Sequence, residues 1–393
     1  MPPIRIASRS IHQEVLLLLL IGFGFCLLTP LTASSAQLRP DGYYVSPGDN
    51  IQEAIDSAAK NPTNKVVKVM PGTYAPMAKR QALIWFNRSH SGVRVEALGD
   101  VTLTAANPEL AGQARSAPAV VNHVVYFGDG VGTNTLLKGF RITGANAYVT
   151  DKFLKQMEPD ETIAKNSFFL TDGGAIKIFG RSYPTLEDLE IEDNYTTPCG
   201  GGISIQHHGF NTNSVVLRNC IFRNNRAQVT GSAVDLLEGS AAILINCLFV
   251  ENASNLGVDV VARRSGEPPF TNSGVLTIFP NSRAVVESCT FTGNRNGVDD
   301  MGGLSEYRNS VFHRNELSSG LPGERYELHL LAGGLVNGCR IQGKIIDPRD
   351  RISRKDNVLD AGDPVFNAAF VPQHSDYDGV GYRPKKLITR PTQ

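Results

Sequence analysis

The sequence predicts an all-β fold, a right-handed parallel β-helix built as a solenoid of stacked coils. Three observations support this prediction. One short apolar motif recurs along most of the chain, a second short strand follows most of its copies, and glycine and asparagine separate the strands. A chain of 393 residues is long for one globular core but ordinary for one solenoid.

The recurring motif is clearest from Leu217 to Asn225, which reads L-R-N-C-I-F-R-N-N. Its central position recurs at intervals of 21 to 49 residues, as Phe140, Leu189, Cys220, Cys247, Cys289, Ser310 and Cys339. An aromatic or branched apolar residue follows two places later, and five copies end on Asn194, Asn225, Asn252, Asn294 and Asn315. Stacked coils bring equivalent residues into columns, so we expect phenylalanine and asparagine columns with an architectural role.

The same spacing fits a leucine-rich repeat, so the residues after the asparagine decide between the two folds. A leucine-rich repeat needs another leucine two residues later, where this chain has Thr196, Ala227, Ser254, Asn296 and Leu317. A second short strand follows instead, beginning at Gly173, Gly200, Gly231, Gly257 and Gly297. Two or three short strands per repeat predict a parallel β-helix of about eight to ten coils.

The N-terminal 36 residues have the pattern of a signal peptide. Arg5 and Arg9 precede an uncharged run over residues 15–28, and small residues follow up to Ala36. A membrane anchor is the alternative, but the apolar run is short for a spanning helix. We therefore predict cleavage after Ala36 and export to the periplasm, the cell surface or the medium, with no membrane association afterwards.

Residues 37–75 are predicted to cap the first coil. Pro47 to Asn50 supply a turn and a helix cap, and apolar residues at helical spacing follow over residues 51–59. An amphipathic helix there would cover the open end of the solenoid. Residues 76–346 carry the repeats, and residues 347–393 form a C-terminal tail. Polar insertions at 147–171 and 262–274 are expected to border a binding groove.

Two segments near the predicted cap resemble the start of pectate-lyase-like β-helix proteins. They read S-P-G-D-N-I-Q-E-A-I-D and V-M-P-G-T-Y. The G-G-A-I and N-C-x-F-x-x-N units are similar to their repeats, and G-D-P-x-F with D-x-D-G-x-x-R-P resembles the tail of bacterial exported members. The resemblance implies the fold over nearly the whole mature chain. It leaves the activity open, because the superfamily contains polysaccharide lyases, glycoside hydrolases, epimerases, phage spikes and surface proteins.

Composition excludes some partners. The 38 basic and 38 acidic residues balance, which gives no reason to expect nucleic acid as a partner. Four of the five cysteines after residue 36 fall in the central column of the repeat, so we expect free buried thiols rather than disulfides. The cysteine and histidine spacing does not indicate zinc.

The candidate site is predicted on the second strands. If Ile176, Ile203, Val234, Val258 and Val298 face inward, the outward residues of successive coils are Lys177, Ser204, Asp235, Asp259 and Asp299. Three stacked carboxylates should raise a pKa or recruit a cation such as calcium. We predict catalytic roles for Lys177, Asp235, Asp259 and Asp299, and substrate binding by His207, Arg263, Arg264 and Asp300.

Two functions follow from this arrangement. The first is an exported monomer that binds a polysaccharide or cell-surface glycan and cleaves it by lyase or hydrolase chemistry. The second is a non-catalytic surface or adhesion protein, because outward charges are also an ordinary solubility device of β-sheets. The polygalacturonase motifs occur here in the wrong order and spacing, so that mechanism is not transferred to this chain.

Overall fold

The computed structural model describes residues 36–111, 119–146, 172–196, 199–254, 273–317, 325–353 and 356–385. These residues form a parallel β-helix, as predicted. Their strands lie in a nine-stranded sheet, a nineteen-stranded sheet and a two-stranded sheet. All pairings between named strands are parallel except that of Gln37–Arg39 with Gly42–Val45, which is antiparallel.

The nine-stranded sheet contributes one strand per coil, stacked in chain order. Its strands are Arg80–Phe86, Val121–Phe127, Ile176–Phe179, Ile203–Gln206, Val234–Leu236, Leu276–Ile278, Val298–Asp300, Leu328–Leu330 and Ile345–Ile346. Nine stacked strands agree with the predicted number of coils.

The nineteen-stranded sheet forms the other faces of the solenoid. Its strands are Gln37–Arg39, Gly42–Val45, Val66–Val69, Gly72–Tyr74, Arg94–Thr104, Leu136–Thr143, Thr185–Glu187, Glu190–Glu192, Val215–Arg218, Ile221–Arg223, Ala241–Ile245, Leu248–Val250, Arg283–Glu287, Thr290–Thr292, Glu306–Arg308, Val311–His313, Leu335–Asn337, Arg340–Gln342 and Val358–Leu359. Tyr195–Thr196 pairs with Arg226–Ala227 in the small sheet.

One coil shows how the sequence makes the turns. The strand Val215–Arg218 is followed by Asn219, which has a φ of 54°. The strand Ile221–Arg223 is followed by Asn224, which has a φ of 49°. Asparagine tolerates this left-handed conformation better than most residues, which explains why it recurs at the corners. A glycine turn then leads to Val234–Leu236 in the nine-stranded sheet.

The predicted columns fill the interior. Phenylalanine rings stack nearly parallel on successive coils, with centroids 4.8, 4.3 and 5.0 Å apart, in the order Phe222, Phe249, Phe291 and Phe312. The five cysteines within the described residues are free and buried, as predicted: Cys199, Cys220, Cys247, Cys289 and Cys339.

The asparagine column is a ladder of side-chain hydrogen bonds. Asn252 accepts bonds from the backbone and side-chain amides of Asn225, at 2.9 and 3.0 Å, and its own amide donates to Asn294 at 2.9 Å. The ladder ends at Asn315, whose backbone and side-chain amides both donate to the carboxylate of Glu327. Burial raises the pKa of Glu327 to about 7. A carboxyl group therefore closes the ladder where the next asparagine is missing.

The N-terminal helix spans Ile51–Lys60 and is capped by Asn50, whose side chain accepts a bond from the amide of Gln52 at 3.0 Å. Its apolar face belongs to the main core, which confirms the predicted cap. The other helices are Pro108–Ala111 and the 3₁₀ segments Arg88–His90 and Ser375–Tyr377. Within the described ranges, no helix is long and apolar enough to cross a membrane.

The C-terminal residues 361–385, here the C-terminal strap, run back along the outside of the solenoid. Tyr382 donates its backbone amide to Thr290 at 2.9 Å, and Arg383 exchanges two 2.7 Å bonds with the side chain of Asn246. The ring of Tyr382 packs on Leu248 and Val250, and other strap residues pack on Val311. The strap therefore covers part of the outer surface of the nineteen-stranded sheet.

Candidate functional site

One register column of the nine-stranded sheet, here the outer column, points away from the core. It consists of Trp85, Tyr126, Lys177, Ser204, Asp235, Thr277, Asp299 and His329. The predicted positions of Lys177, Ser204, Asp235 and Asp299 in this column are confirmed. The place between Asp235 and Asp299 that was predicted for Asp259 is occupied by Thr277, which pairs with both aspartates. Asp259, Arg263 and Arg264 themselves lie outside the described residues.

The outer column is buried except for the partly exposed Trp85, and strand alternation alone did not predict this burial. Lys177, Asp235 and Asp299 are at most 1% exposed. Three turns pass close to the column: a Cβ atom on Gly173 or Gly200 would lie 2.9 or 2.8 Å from the Cβ of Ser204, and one on Gly231 would lie 2.5 Å from the Cβ of Asp235. Gly231 also donates its amide to the hydroxyl of Thr277 at 3.1 Å. The glycines of these turns therefore permit a second backbone layer over the sheet.

Lys177 is held in a buried polar cluster. Its Nζ lies 2.7 Å from both carboxylate oxygens of Asp172, 3.1 Å from Ser204 Oγ and 3.0 Å from Gln206 Oε1. Burial lowers the pKa of the Lys177 amine and raises the pKa of Asp172, and the charge of each partner opposes that shift. An amine held by four oxygens is poorly placed to act as a base on a bound sugar.

Asp235 has the most perturbed environment of the predicted catalytic residues. One oxygen accepts a bond from the Thr230 hydroxyl at 3.1 Å, and Oδ1 has no hydrogen-bond partner in the described part of the chain. Burial, with a smaller contribution from the charge of Asp172, raises the pKa of Asp235 to about 8. The carboxyl is therefore mostly protonated at neutral pH and is able to donate a proton.

Asp299 lies beside a histidine that was not among the predicted site residues. Its Oδ1 lies 2.9 Å from Nδ1 of His329, which occupies the same column on the next coil. The neighbouring Asp300 points into the coil, where it accepts bonds from the Tyr307 hydroxyl and the Gly302 amide, both at 2.8 Å. Strand alternation sends adjacent side chains to opposite faces, so Asp300 cannot share a groove with Asp299.

His207 is an internal residue rather than part of a surface loop. Its Nε2 lies 3.0 Å from the Ser182 carbonyl, and its Nδ1 lies 3.2 Å from the Ala241 amide. Burial lowers the pKa of His207 to about 4, so the ring stays neutral and bridges two coils. The exposed neighbour is His208, whose ring meets Phe179 edge-on at 5.1 Å.

The N-terminal part of the outer face carries aromatic and charged side chains at the surface. We call Arg80, Trp85, Arg181, His208 and Phe210 the aromatic patch. Arg80 lies over the ring of Trp85 and Arg181 over that of Phe210, at 5.8 and 5.2 Å. Trp85 is partly exposed and packs on a cluster containing Tyr126 and Phe179, while Phe210 is 49% exposed.

Several polar residues of the outer face escaped the sequence analysis. Asp172 directly precedes a glycine pair, as Cys199 does one coil later. This shared position before the glycines is the sequence feature by which Asp172 could have been assigned to the site. Thr277 and His329 could be assigned only from the strand register. Long chain segments separate these strands from their neighbours in the sheet, so counting residues from one repeat to the next did not locate them.

The donor atoms do not fit the expected calcium ion. Calcium takes six to eight oxygen ligands, often from several carboxylates. Asp235 and Asp299 stand two coils apart with Thr277 between them, and the described residues contain no group of three or more acidic, histidine or cysteine ligands. No step of the chemistry considered below therefore uses calcium.

Comparison with known proteins agrees with the fold. A family model described as a right handed beta helix region matches residues 133–275. A crystal structure of the pectate lyase Pel9A is 12% identical, with 82% of this chain and 80% of that chain covered and a TM-score of 0.38. The catalytic domain of a GH87 alpha-1,3-glucanase in complex with tetrasaccharides is 10% identical, with coverages of 86% and 69% and a TM-score of 0.25.

No curated protein matches the sequence. The described residues thus form a parallel β-helix, and residues 133–275 match the right-handed type. At these TM-scores the two solved structures carry no argument about the fold or the reaction of this chain.

Proposed function

We propose that this chain is an exported β-helix protein that binds a polysaccharide on the outer face of its nine-stranded sheet. The observation that carries the proposal is the aromatic patch. Partly exposed aromatic rings offer flat apolar surfaces to sugar rings, and arginine side chains beside them donate hydrogen bonds to hydroxyl and carboxylate groups. Trp85 is the single tryptophan of the sequence and lies in this patch.

The location of the patch also favours the nine-stranded sheet as the glycan-binding surface. The C-terminal strap covers part of the outer surface of the nineteen-stranded sheet, where Leu248, Val250 and Val311 would otherwise be exposed. The aromatic patch lies on the other sheet and in the turns after its strands, and Trp85 shares the outer column with Asp235 and Asp299. A glycan bound there would lie along the stack of coils.

Cleavage is the second part of the proposal, with hydrolysis favoured over β-elimination. Asp235 holds a proton at neutral pH and would act as the general acid. Asp299, two coils away and 2.9 Å from His329, would act as the base that activates water. Two strand spacings are about 10 Å between Cα atoms, which suits the wide carboxyl separation of inverting glycosidases.

A non-catalytic glycan-binding or adhesion protein is the second candidate. The observation in its favour is the burial of the two carboxyl groups, because Asp235 and Asp299 are at most 1% exposed. The turn that contains Gly231 lies against Asp235. In this case the outer column would be internal packing, and the aromatic patch alone would bind the glycan.

The test is a panel of neutral and uronic-acid polysaccharides, with binding measured by pull-down. We expect Trp85→Ala and Phe210→Ala to weaken retention of a bound polysaccharide at least tenfold, because each removes a stacking surface. Leu335→Ala is the matched control, since Leu335 is 59% exposed on the nineteen-stranded sheet. If no polysaccharide is retained, or if both aromatic variants bind like the wild type, binding at this patch is refuted.

The same panel separates the two candidates. New reducing ends that disappear in Asp235→Asn and Asp299→Asn would establish a hydrolase, and unsaturated products would contradict the proposed acid and base. Retention of intact glycan by both the wild type and these variants would establish the non-catalytic candidate.

A further inference from the structure

We propose that Lys177 and Asp172 condense into an intramolecular amide, so that the folded protein carries an isopeptide cross-link. The proposal concerns a buried amine and carboxyl group that the proposed glycan chemistry does not use, and it does not depend on glycan binding. The two residues are five positions apart in sequence and meet across the turn that precedes the strand Ile176–Phe179.

The geometry places the reacting groups in contact. Nζ of Lys177 lies 2.7 Å from both Asp172 oxygens, which puts it directly in front of the carboxyl carbon. Attack on the carbon requires the amine above the plane of the carboxyl group, and a change in the χ1 torsion of Asp172 or in the side-chain torsions of Lys177 would bring it there. Ser204 Oγ lies 2.9 Å from Asp172 Oδ2 and 3.1 Å from Lys177 Nζ, so it fixes both groups.

Burial favours the reactive forms. Lys177 is 0% exposed and Asp172 is 2% exposed, and an ion pair of this kind has a large desolvation cost. Desolvation is the largest influence on both groups, lowering the pKa of the amine and raising the pKa of the carboxyl. Transfer of one proton from Lys177 to Asp172 gives the neutral amine and the carboxylic acid that condensation requires.

The atoms balance without any further reagent. The lone pair of the neutral Lys177 nitrogen attacks the carboxyl carbon of Asp172 and forms the N–C bond. The C–O bond to the hydroxyl group breaks, one nitrogen proton joins the departing hydroxide, and one water molecule leaves. Asp235 follows Ser204 in the outer column, and its protonated carboxyl is the nearest additional acid in that column to assist the departure of water.

The product would replace two buried charges with a neutral amide. It would close a ring across the glycine turn and join residue 172 covalently to the nine-stranded sheet. Such a ring would hold the turn that covers Ser204 in place, because a Cβ atom on Gly173 would lie 2.9 Å from the Cβ of Ser204.

The direct test is the mass of the intact folded protein after any processing of the N-terminus has been determined. The cross-link lowers the mass by one water, about 18 Da. Trypsin should then fail to cut after Lys177, and the segment from Asn166 to Arg181 should appear as one peptide lacking one water. A wild-type protein of full mass that is cut after Lys177 overturns the proposal.

A succinimide at Asp172-Gly173 would also lose one water, and two measurements distinguish it. Mild alkali reopens a succinimide and restores the mass, whereas an amide cross-link persists. Lys177→Arg cannot form the cross-link but leaves the Asp-Gly pair intact, so mass loss in that variant contradicts the proposal. Asp172→Asn should condense with loss of ammonia, about 17 Da. Loss of a whole water, about 18 Da, from this variant would show that another carboxyl group is the partner and would exclude residue 172.

Discussion

The buried carboxyl of Asp235 should make the stability of the protein depend strongly on pH. Its pKa is raised by burial from an ordinary 3.8 to about 8. The folded protein therefore binds a proton that the unfolded chain releases above pH 4, and this contribution to stability is full below that pH. It is lost as the pH rises through 8. One pKa unit corresponds to about 1.4 kcal/mol, so the shift of about four units corresponds to about 6 kcal/mol.

The perturbation is Asp235→Asn, which keeps the shape of the protonated side chain and cannot ionise. We expect the wild-type free energy of unfolding to fall between pH 5 and pH 9 by several kcal/mol more than that of the variant. Guanidinium denaturation at pH 5, 7 and 9 measures both curves. Equal pH dependence in wild type and variant would show that Asp235 ionises normally, and the assignment of Asp235 as a protonated acid would then be wrong.

Glu327→Gln is the matched control, because Glu327 is also buried but closes the asparagine ladder. Its pKa is raised from 4.5 to about 7, which corresponds to about 3 kcal/mol lost between these pH values. The two contributions therefore overlap between pH 4.5 and 7, where each variant should flatten the wild-type curve. The part above pH 7 should depend mainly on Asp235.

Three further features of the architecture, the asparagine ladder, the phenylalanine stack and the glycine turn, are tested by denaturant unfolding. Asn252→Ala should cost about 3 to 5 kcal/mol, because it leaves several buried amides and carbonyls without partners; a cost below 1 kcal/mol would contradict the ladder. Phe249→Ala should cost about 4 kcal/mol through a cavity in the ring stack, and Phe249→Leu much less. Gly231→Ala should cost about 3 kcal/mol, because it adds a clash to a strained φ of 58°. Gly293→Ala should cost only about 1 kcal/mol, since its φ of 63° is similar and no described atom lies within 4 Å of the added Cβ. Equal decreases in the free energy of unfolding at the two glycines would show that the turn containing Gly231 is not packed tightly against the sheet.

The sequence was sufficient to predict the repeating interior of the fold. Asn252 and Phe249 recur in a fixed frame because each must match the same residue type on the coils above and below. The capping helix was equally clear, since Asn50 and the apolar spacing after it are local signals. Such features depend on neighbouring residues or on exact repetition, and both are visible in a single sequence.

The candidate site was predicted less well, because its geometry depends on which strand follows which in the sheet. The G-V-D-V text around Asp259 has the expected pattern, yet Thr277 occupies the ladder position between the two aspartates. Burial of the outer column also has no local signal. Strand alternation places Lys177 on the outside, but the turn that folds over it is recognisable only once the glycines are located in space.

The C-terminal strap has a consequence for how the solenoid folds and unfolds. In a simple repeat protein each coil contacts only its neighbours, so the last coils can fray one at a time. The bonds between Asn246 and Arg383 join positions 137 residues apart and link the last residues of the strap to the middle of the stack. Fraying of the end is therefore coupled to release of the middle. We expect these coils to unfold as one cooperative unit, and to complete folding only after a long chain segment has closed on itself.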